Sequence, residues 1–65
     1  MRLEINGVDR EVASTSLSGV VVDLLGNSRG SAVVVDGAVI PRSQWETFPL
    51  REGQRVELIT AVQGG

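Results

Sequence analysis

The chain contains no cysteine, no histidine and no lysine among its 65 residues. Without cysteine it forms neither a disulfide nor a thiolate, which fits a reducing compartment. The joint absence of cysteine and histidine excludes metal sites built from these ligands, nucleophiles paired with histidine, and a histidine acid or base. A domain of this length buries only about 60% of the surface of its unfolded chain, which leaves no room for an enclosed active-site cavity. We therefore expect a protein that is not an enzyme.

The charge of the chain is low and dispersed. Its net charge is -2, and its six basic residues, all arginine, lie far apart, so the clustered positive face of a nucleic-acid-binding protein is missing. The apolar runs are far shorter than the ~20 residues of a membrane span, and the first residues show no signal-peptide pattern. We expect a soluble, cytoplasmic protein that binds neither nucleic acid nor membrane. We interpret the scattered carboxylates as solvated surface charge. They are Glu4, Asp9, Glu11, Asp23, Asp36, Glu46, Glu52 and Glu57.

The first residues predict a β-hairpin. Apolar and charged residues alternate over 1–5 and alternation resumes at Val8, while Asn6-Gly7 between them is the strongest two-residue hairpin signal. Pairing across this turn places Arg10 opposite Leu3 on the apolar face. This position of a charged residue has two possible explanations. Either the aliphatic part of the Arg10 side chain extends outward at a sheet edge so that the guanidinium reaches water, or the loop is longer than two residues.

A helix is predicted after the hairpin. Apolar residues recur with the helical period between Ser16, a good N-cap, and Gly26, which suits the position after the last turn. These features favour a helix from about 17 to 25 over a competing strand interpretation. Gly19 and a run of three valines lower its intrinsic helix propensity.

Two further strands are expected in the middle of the chain. Residues 32–35 form a nearly continuous β-branched run, typical of a central strand buried on both faces. Asp36-Gly37 predicts a tight turn into a short strand at 38–40, which Pro41 ends because proline cannot donate to a sheet. Residues 43–46 suit a single helical turn, and we interpret their tryptophan as a filler of the core.

The last predicted strand runs from 55 to about 62. Its alternation directs Val56 and Leu58 towards the helix, whereas Ile59 and Ala61 face outward. Exposed apolar residues beside the chain end suit docking onto a partner protein, although single exposed apolar residues are also common. We therefore predict a partner interface, whose members are Ile59, Ala61 and Val62.

The sequence ends in two glycines, Gly64-Gly65. A carboxylate carried on two residues without Cβ can enter a slot too narrow for any side chain. The alternative is a frayed end without a role. We expect a folded domain over 1–62 and a flexible tail over 63–65, in which Gln63 and Gly64 thread into a partner and Gly65 presents the carboxylate.

The order of elements predicts an α+β fold. One helix covers one face of a small mixed sheet, and a right-handed crossover permits the last strand to lie parallel beside the first. The expected architecture is a four- to five-stranded mixed sheet packed on one helix, the β-grasp plan of ubiquitin-like proteins.

Three segments on this plan resemble the ThiS family of sulfur carriers in thiamin thiazole biosynthesis. They are Ile40-Pro41-Arg42-Ser43-Gln44-Trp45, Glu52-Gly53 and Val62-Gln63-Gly64-Gly65. The resemblance implies that a ThiF-like adenylating enzyme activates the Gly65 carboxylate with ATP and magnesium. It further implies that a sulfur-donating enzyme converts the adenylate to a thiocarboxylate, and that a thiazole synthase receives the sulfur. The chain itself would bind no cofactor and act as a cosubstrate.

Three other functions remain open on the sequence. The chain could carry sulfur for molybdopterin or another sulfur-dependent pathway. It could be a ubiquitin-like modifier attached through Gly65 to lysines of other proteins, although without lysine it cannot modify itself. It could also be a binding module whose tail is inert.

Overall fold

Two antiparallel hairpins and a returning strand form one five-stranded mixed sheet. The structure, a computed structural model, describes residues 1–26 and 30–60. The strands are β1 (Arg2–Ile5), β2 (Val8–Glu11), β3 (Ser31–Val35), β4 (Ala38–Ile40) and β5 (Arg55–Thr60). They lie in the order β2-β1-β5-β3-β4, with β1 and β5 parallel and the other neighbours antiparallel. The predicted mixed sheet, with the last strand beside the first, is confirmed.

Both predicted hairpin turns are present. Asn6-Gly7 has φ angles of 52° and 83°, and Asp36-Gly37 has 50° and 86°. Two successive positive φ angles define type I′ turns, which match the twist of the flanking strands. Leu3 pairs with Arg10, and Arg10 is exposed on the edge strand β2. The loop therefore has two residues, and the Arg10 side chain lies at the sheet edge.

The helix α1 (Leu17–Leu25) has the predicted bounds. The Ser16 hydroxyl accepts a hydrogen bond from the Gly19 N–H at 3.1 Å, which satisfies one of the free donors of the first turn. Gly26 ends the helix with φ 84°, and its N–H donates to the Val22 carbonyl at 2.9 Å. The capping residues thus fix both ends of a short helix with weak intrinsic propensity.

The glycine inside the helix is explained by a close contact. A Cβ added at Gly19 would lie 2.6 Å from the Ser14 Oγ and 2.8 Å from the Ser14 Cβ. The Ser14 hydroxyl also donates to Asp23 Oδ2 at 2.9 Å, which holds the segment before the helix against its surface. The packing of that segment therefore requires glycine at this position.

Helix α1 covers one face of the sheet, and the core lies between them. The buried apolar residues are Leu3, Ile5, Val12, Leu17, Val20, Val21, Val33, Val35, Ile40, Trp45, Val56 and Leu58. The expectation that 32–35 is a central strand buried on both faces is wrong in part. Strand β5 occupies the centre, with β3 beside it, and only Val33 and Val35 are buried while Ala32 and Val34 are half-buried. The cause is that one helix covers one face only.

The segment after β4 anchors the single tryptophan in the core. It forms a short 3₁₀ helix, Arg42–Gln44, one residue before the predicted turn at 43–46. Trp45 follows it and is 3% exposed, as expected of a core filler. The Arg42 guanidinium lies over the Trp45 ring, 5.5 Å from the ring centre. Along the described ranges, no helix is long and apolar enough to span a membrane.

Candidate docking surface

The face of the sheet opposite helix α1 carries a contiguous apolar surface. Ala32 pairs with Ile59 and Val34 with Val39, and directly opposed residues of neighbouring strands point to the same face. We call these four residues the open-face patch. The patch spans strands β4 and β3 and includes Ile59 near the end of strand β5.

Two residues of the open-face patch are strongly exposed. Val39 is 70% exposed and Ile59 50%, while Ala32 and Val34 between them are half-buried. A single exposed apolar side chain is ordinary on a protein surface, but several in contact across paired strands are typical of a protein-interaction site. The patch is therefore the candidate docking surface of this domain.

The other half of the open face is charged and mostly acidic. Its side chains are Arg2, Glu4, Asp9, Glu11, Arg55 and Glu57, four carboxylates against two guanidinium groups. Arg55 Nε lies 3.2 Å from Glu4 Oε2, and Glu57 pairs with Val34 at the border of the patch. A partner complementary to this face presents an apolar centre with basic groups on one side.

Two ionisable groups have pKa values that are shifted from their usual values, and both lie at the end of the sheet away from Ile59. The α-ammonium of Met1 donates to Glu11 Oε2 at 2.9 Å. This hydrogen bond lowers the pKa of the Glu11 carboxyl and raises the pKa of the Met1 amino group. Both groups are exposed, and they pair with each other across the β1–β2 hairpin. In the part of the chain that the structure describes, no cluster of histidine, cysteine or carboxylate residues could hold a metal ion.

The structure places one of the predicted site residues and leaves the others outside its described ranges. Ile59 is exposed and faces outward, as the strand alternation predicted, and it belongs to the open-face patch. The interface predictions for Ala61 and Val62, the threading role of Gln63 and Gly64, and the reactive role of Gly65 fall outside the described residues. The predicted boundary between a 1–62 domain and a 63–65 tail falls there too.

Three residues of the open-face patch were not expected from the sequence. Ala32 and Val34 belong to the run that was interpreted as buried on both faces, and Val39 lies in the short strand β4. One available signal could have identified them. A single predicted helix covers only one face, so alternate residues of these strands had to face away from it.

The open-face patch lies within reach of the chain end. Ile59 precedes Gly65 by six residues. A fully extended chain of six residues spans at most about 20 Å. A protein that binds the patch can therefore also contact residue 65.

A five-stranded mixed sheet with one helix on one face, in the strand order found here, is a ubiquitin-like β-grasp domain. The sequence model of the ThiS family matches residues 3–65, and the chain belongs to that family.

Comparison of structures agrees with this assignment. The chain is similar to the crystal structure of the thiamine biosynthesis protein (ThiS) from Geobacter metallireducens, with 25% sequence identity, a TM-score of 0.71 and full coverage of both chains. No curated protein matches the chain significantly in sequence. ThiS-family proteins are small sulfur carriers of thiamine biosynthesis that act with partner enzymes and are not themselves catalysts.

Proposed function

We propose that the chain carries sulfur as a thiocarboxylate on Gly65 and donates it to the thiazole ring of thiamin. The observation that carries the proposal is that the family match extends through Gly64 and Gly65. The two glycines therefore lie within the part of the chain that matches the family. Two residues without side chains leave the terminal carbonyl sterically open to a nucleophile.

The chemistry proceeds in two balanced steps. The Gly65 carboxylate attacks the α-phosphorus of ATP in the adenylating partner, and pyrophosphate leaves. Hydrosulfide delivered by the sulfur-donating enzyme then attacks the carbonyl carbon, so that a C–S bond forms, the C–O bond to AMP breaks, and loss of the S–H proton leaves the thiocarboxylate. Adenylation must come first because a free carboxylate is a poor acyl donor, whereas its anhydride with AMP has a good leaving group. The partner supplies magnesium and the stabilisation of the tetrahedral oxyanion.

The open-face patch supports a mechanism in which this chain binds to a partner enzyme and the partner catalyses the reaction. The described residues offer an exposed apolar surface to which a partner enzyme can bind. The ThiF-like adenylating enzyme docks on Ile59 and its neighbours in the patch, with Ala61 and Val62 extending the contact towards the tail. Gln63 and Gly64 then thread the carboxylate to the ATP. The chain is a cosubstrate, and the thiazole synthase receives the loaded tail.

The first step is tested by ATP–pyrophosphate exchange. The adenylating enzyme, ATP and magnesium are incubated with the intact chain or with a chain lacking Gly65. Exchange should depend on the intact chain and disappear with the deletion, because the shortened carboxylate falls one residue short of the nucleotide. An enzyme that exchanges with its own established carrier but never with this chain would contradict the proposal. Equal exchange with both chains would also contradict it.

A further inference from the structure

One carboxylate at the border of the open-face patch has no ion pair among the described residues. Glu57 lies on the central strand β5 directly opposite Val34, and its exposed side chain points to the open face. Ile59 follows two residues later on the same face. A negative charge therefore lies beside the apolar side chains of the docking surface.

The guanidinium groups on this face already have carboxylate partners. Arg55 Nε lies 3.2 Å from Glu4 Oε2, and Arg2 Nη2 lies 3.8 Å from Glu11 Oε1. The described strands offer no further basic side chain on the open face. If Arg55 turned to Glu57 instead, Glu4 would lose its partner, and the face would still carry an unpaired carboxylate. A positive charge for Glu57 has to come from another molecule.

Docking on the open-face patch covers Glu57. A protein interface of standard size takes about 800 Å² of each partner, which corresponds to a disc about 16 Å in radius. Within the sheet, Glu57 is about 5 Å from Val34 and about 7 Å from Ile59, measured between Cβ atoms. A partner that covers these apolar residues therefore removes water from the Glu57 carboxylate as well. Without a partner of opposite charge, a carboxylate that loses its water weakens binding.

We propose that Glu57 is a specificity-determining residue of the docking surface, which pairs with a basic side chain of the adenylating partner. This inference rests on the proposed function. An arginine suits the position best, because a guanidinium is less strongly hydrated than an ammonium and forms two parallel hydrogen bonds to one carboxylate. A protein that covers the apolar residues without such a group loses affinity. The patch provides the contact area, and Glu57 selects among the proteins that can cover it.

The test compares the same chemical change at two exposed positions. Glu57→Gln removes the charge and keeps the length of the side chain. Glu46→Gln is the matched control, because Glu46 is exposed and lies beside Ser18 and Val22 of helix α1. Calorimetry without ATP gives the Kd of each chain for the adenylating enzyme, and ATP–pyrophosphate exchange gives KM and kcat. Glu57→Gln should raise Kd and KM at least about tenfold at unchanged kcat, and Glu46→Gln should leave all three within about twofold. The melting temperatures of both variants should match that of the wild type.

A second comparison separates a direct contact from the overall charge of the face. Asp9 is another open-face carboxylate without an ion pair among the described residues, but it lies on the edge strand β2. Three strand spacings separate it from Val34, about 14 Å, which places it at the margin of the interface. Asp9→Asn should raise KM at most about threefold, and raised ionic strength should abolish this effect. The effect of Glu57→Gln should persist at high salt, because the contact excludes solvent.

Two further variants test the charge requirement and the source of the positive charge. Glu57→Asp keeps the charge on a shorter side chain, so its KM should lie between those of the wild type and Glu57→Gln. Arg55→Gln removes the nearest basic residue of the same strand. If the partner supplies the positive charge, the effects of Arg55→Gln and Glu57→Gln on the logarithm of Kd should add in the double variant.

The outcomes separate the inference from the function on which it rests. Unchanged binding of Glu57→Gln would overturn the inference, and so would tighter binding, because the carboxylate would then oppose docking. Equal, salt-sensitive effects of Glu57→Gln and Asp9→Asn would also overturn it, and non-additive effects with Arg55→Gln would place the positive charge within this chain. In each of these cases the wild type still supports exchange, and the proposed function stands. Absence of exchange with the wild-type chain would remove the proposed function and this inference together.

Discussion

Trp45 donates its indole N–H to the Ile40 carbonyl at 2.8 Å from a buried position. The bond closes the segment from Ile40 to Trp45, which includes Pro41 at the end of β4 and the short 3₁₀ helix. The same segment carried the resemblance to the ThiS family. Packing and turn geometry thus account for Pro41 and Trp45 in this segment, while the proposed sulfur chemistry is assigned to Gly65.

Substitution of Trp45 should affect stability and leave function intact. Trp45→Phe leaves the buried Ile40 carbonyl without the indole donor and should cost about 1–3 kcal/mol of unfolding free energy. Trp45→Ala should cost about 3–5 kcal/mol because it also leaves a cavity. Urea denaturation checks both values. A Phe variant that is folded but no longer accepts sulfur would contradict a purely structural role for this residue.

Alanine at Gly19 should destabilise the protein despite its better helix propensity. The propensity gain is about 1 kcal/mol. The new Cβ meets both the Oγ and the Cβ of Ser14, and we expect a net loss of about 1–2 kcal/mol. The loss should be largely reversed in the double variant with Ser14→Gly, which removes the clashing atoms. Denaturation of the four proteins of this double-mutant cycle gives the coupling. A Gly19→Ala single variant more stable than the wild type would show that Ser14 moves aside without cost.

Charge introduced into the open-face patch should weaken docking without unfolding the domain. Ile59→Asp places a carboxylate in a contact that becomes desolvated, and a loss of about 2 kcal/mol raises the KM of the adenylating enzyme for this chain roughly 30-fold at unchanged kcat. Val62→Asp is expected to act in the same direction. The control is Val22→Asp on the exposed side of the helix, since Val22 and Ile59 are both 50% exposed. Equal KM values for Ile59→Asp and Val22→Asp would place the docking surface elsewhere.

The Met1–Glu11 ion pair should give stability a defined pH dependence. The pKa of the Glu11 carboxyl is lowered from 4.5, so its contribution is present above that value and is lost as the pH falls through the lowered pKa. The pKa of the Met1 amino group is raised from 8.0, so its contribution is complete below that value and is lost as the pH rises through the raised pKa. The stability difference between the wild type and Glu11→Gln, in chains with a free Met1 amino group, should therefore be largest between these limits. Denaturation at acidic, neutral and alkaline pH measures it, and a difference that grows on acidification would contradict the assignment.

The elements with strong local signals could be predicted from the sequence. Asn6-Gly7 and Asp36-Gly37 specified their turns, and Ser16 with Gly26 specified the helix, because turns and caps depend on the conformational preferences of one or two residues. The orientation of Val34 and Val39 away from the helix could not be obtained from local composition, since it depends on which face of the sheet the helix covers. Neither could the contact of Asn6 with Leu58, which joins residues at opposite ends of the chain.

The candidate site was predictable only in part for the same reason. The outward orientation of Ile59 could be predicted from the strand alternation, and its role in docking from its position close to Gly65. Its neighbours in the patch, Ala32 and Val39, come from two other strands and are brought to it by the sheet order. That order is set by tertiary packing, which a linear pattern does not contain.

The mass of the chain after reaction with its partners tests the central claim most directly. With the adenylating enzyme, ATP, magnesium and either a sulfide donor or a persulfide donor together with a thiol reductant, the intact chain should gain the mass difference between sulfur and oxygen, and fragmentation should place the gain at Gly65. Deletion of Gly65 or Gly64→Val should abolish the gain while the domain stays folded. An unchanged mass, with an enzyme active towards its own carrier, would contradict the sulfur-carrier account, and attachment through Gly65 to lysines of other proteins would replace it with protein modification.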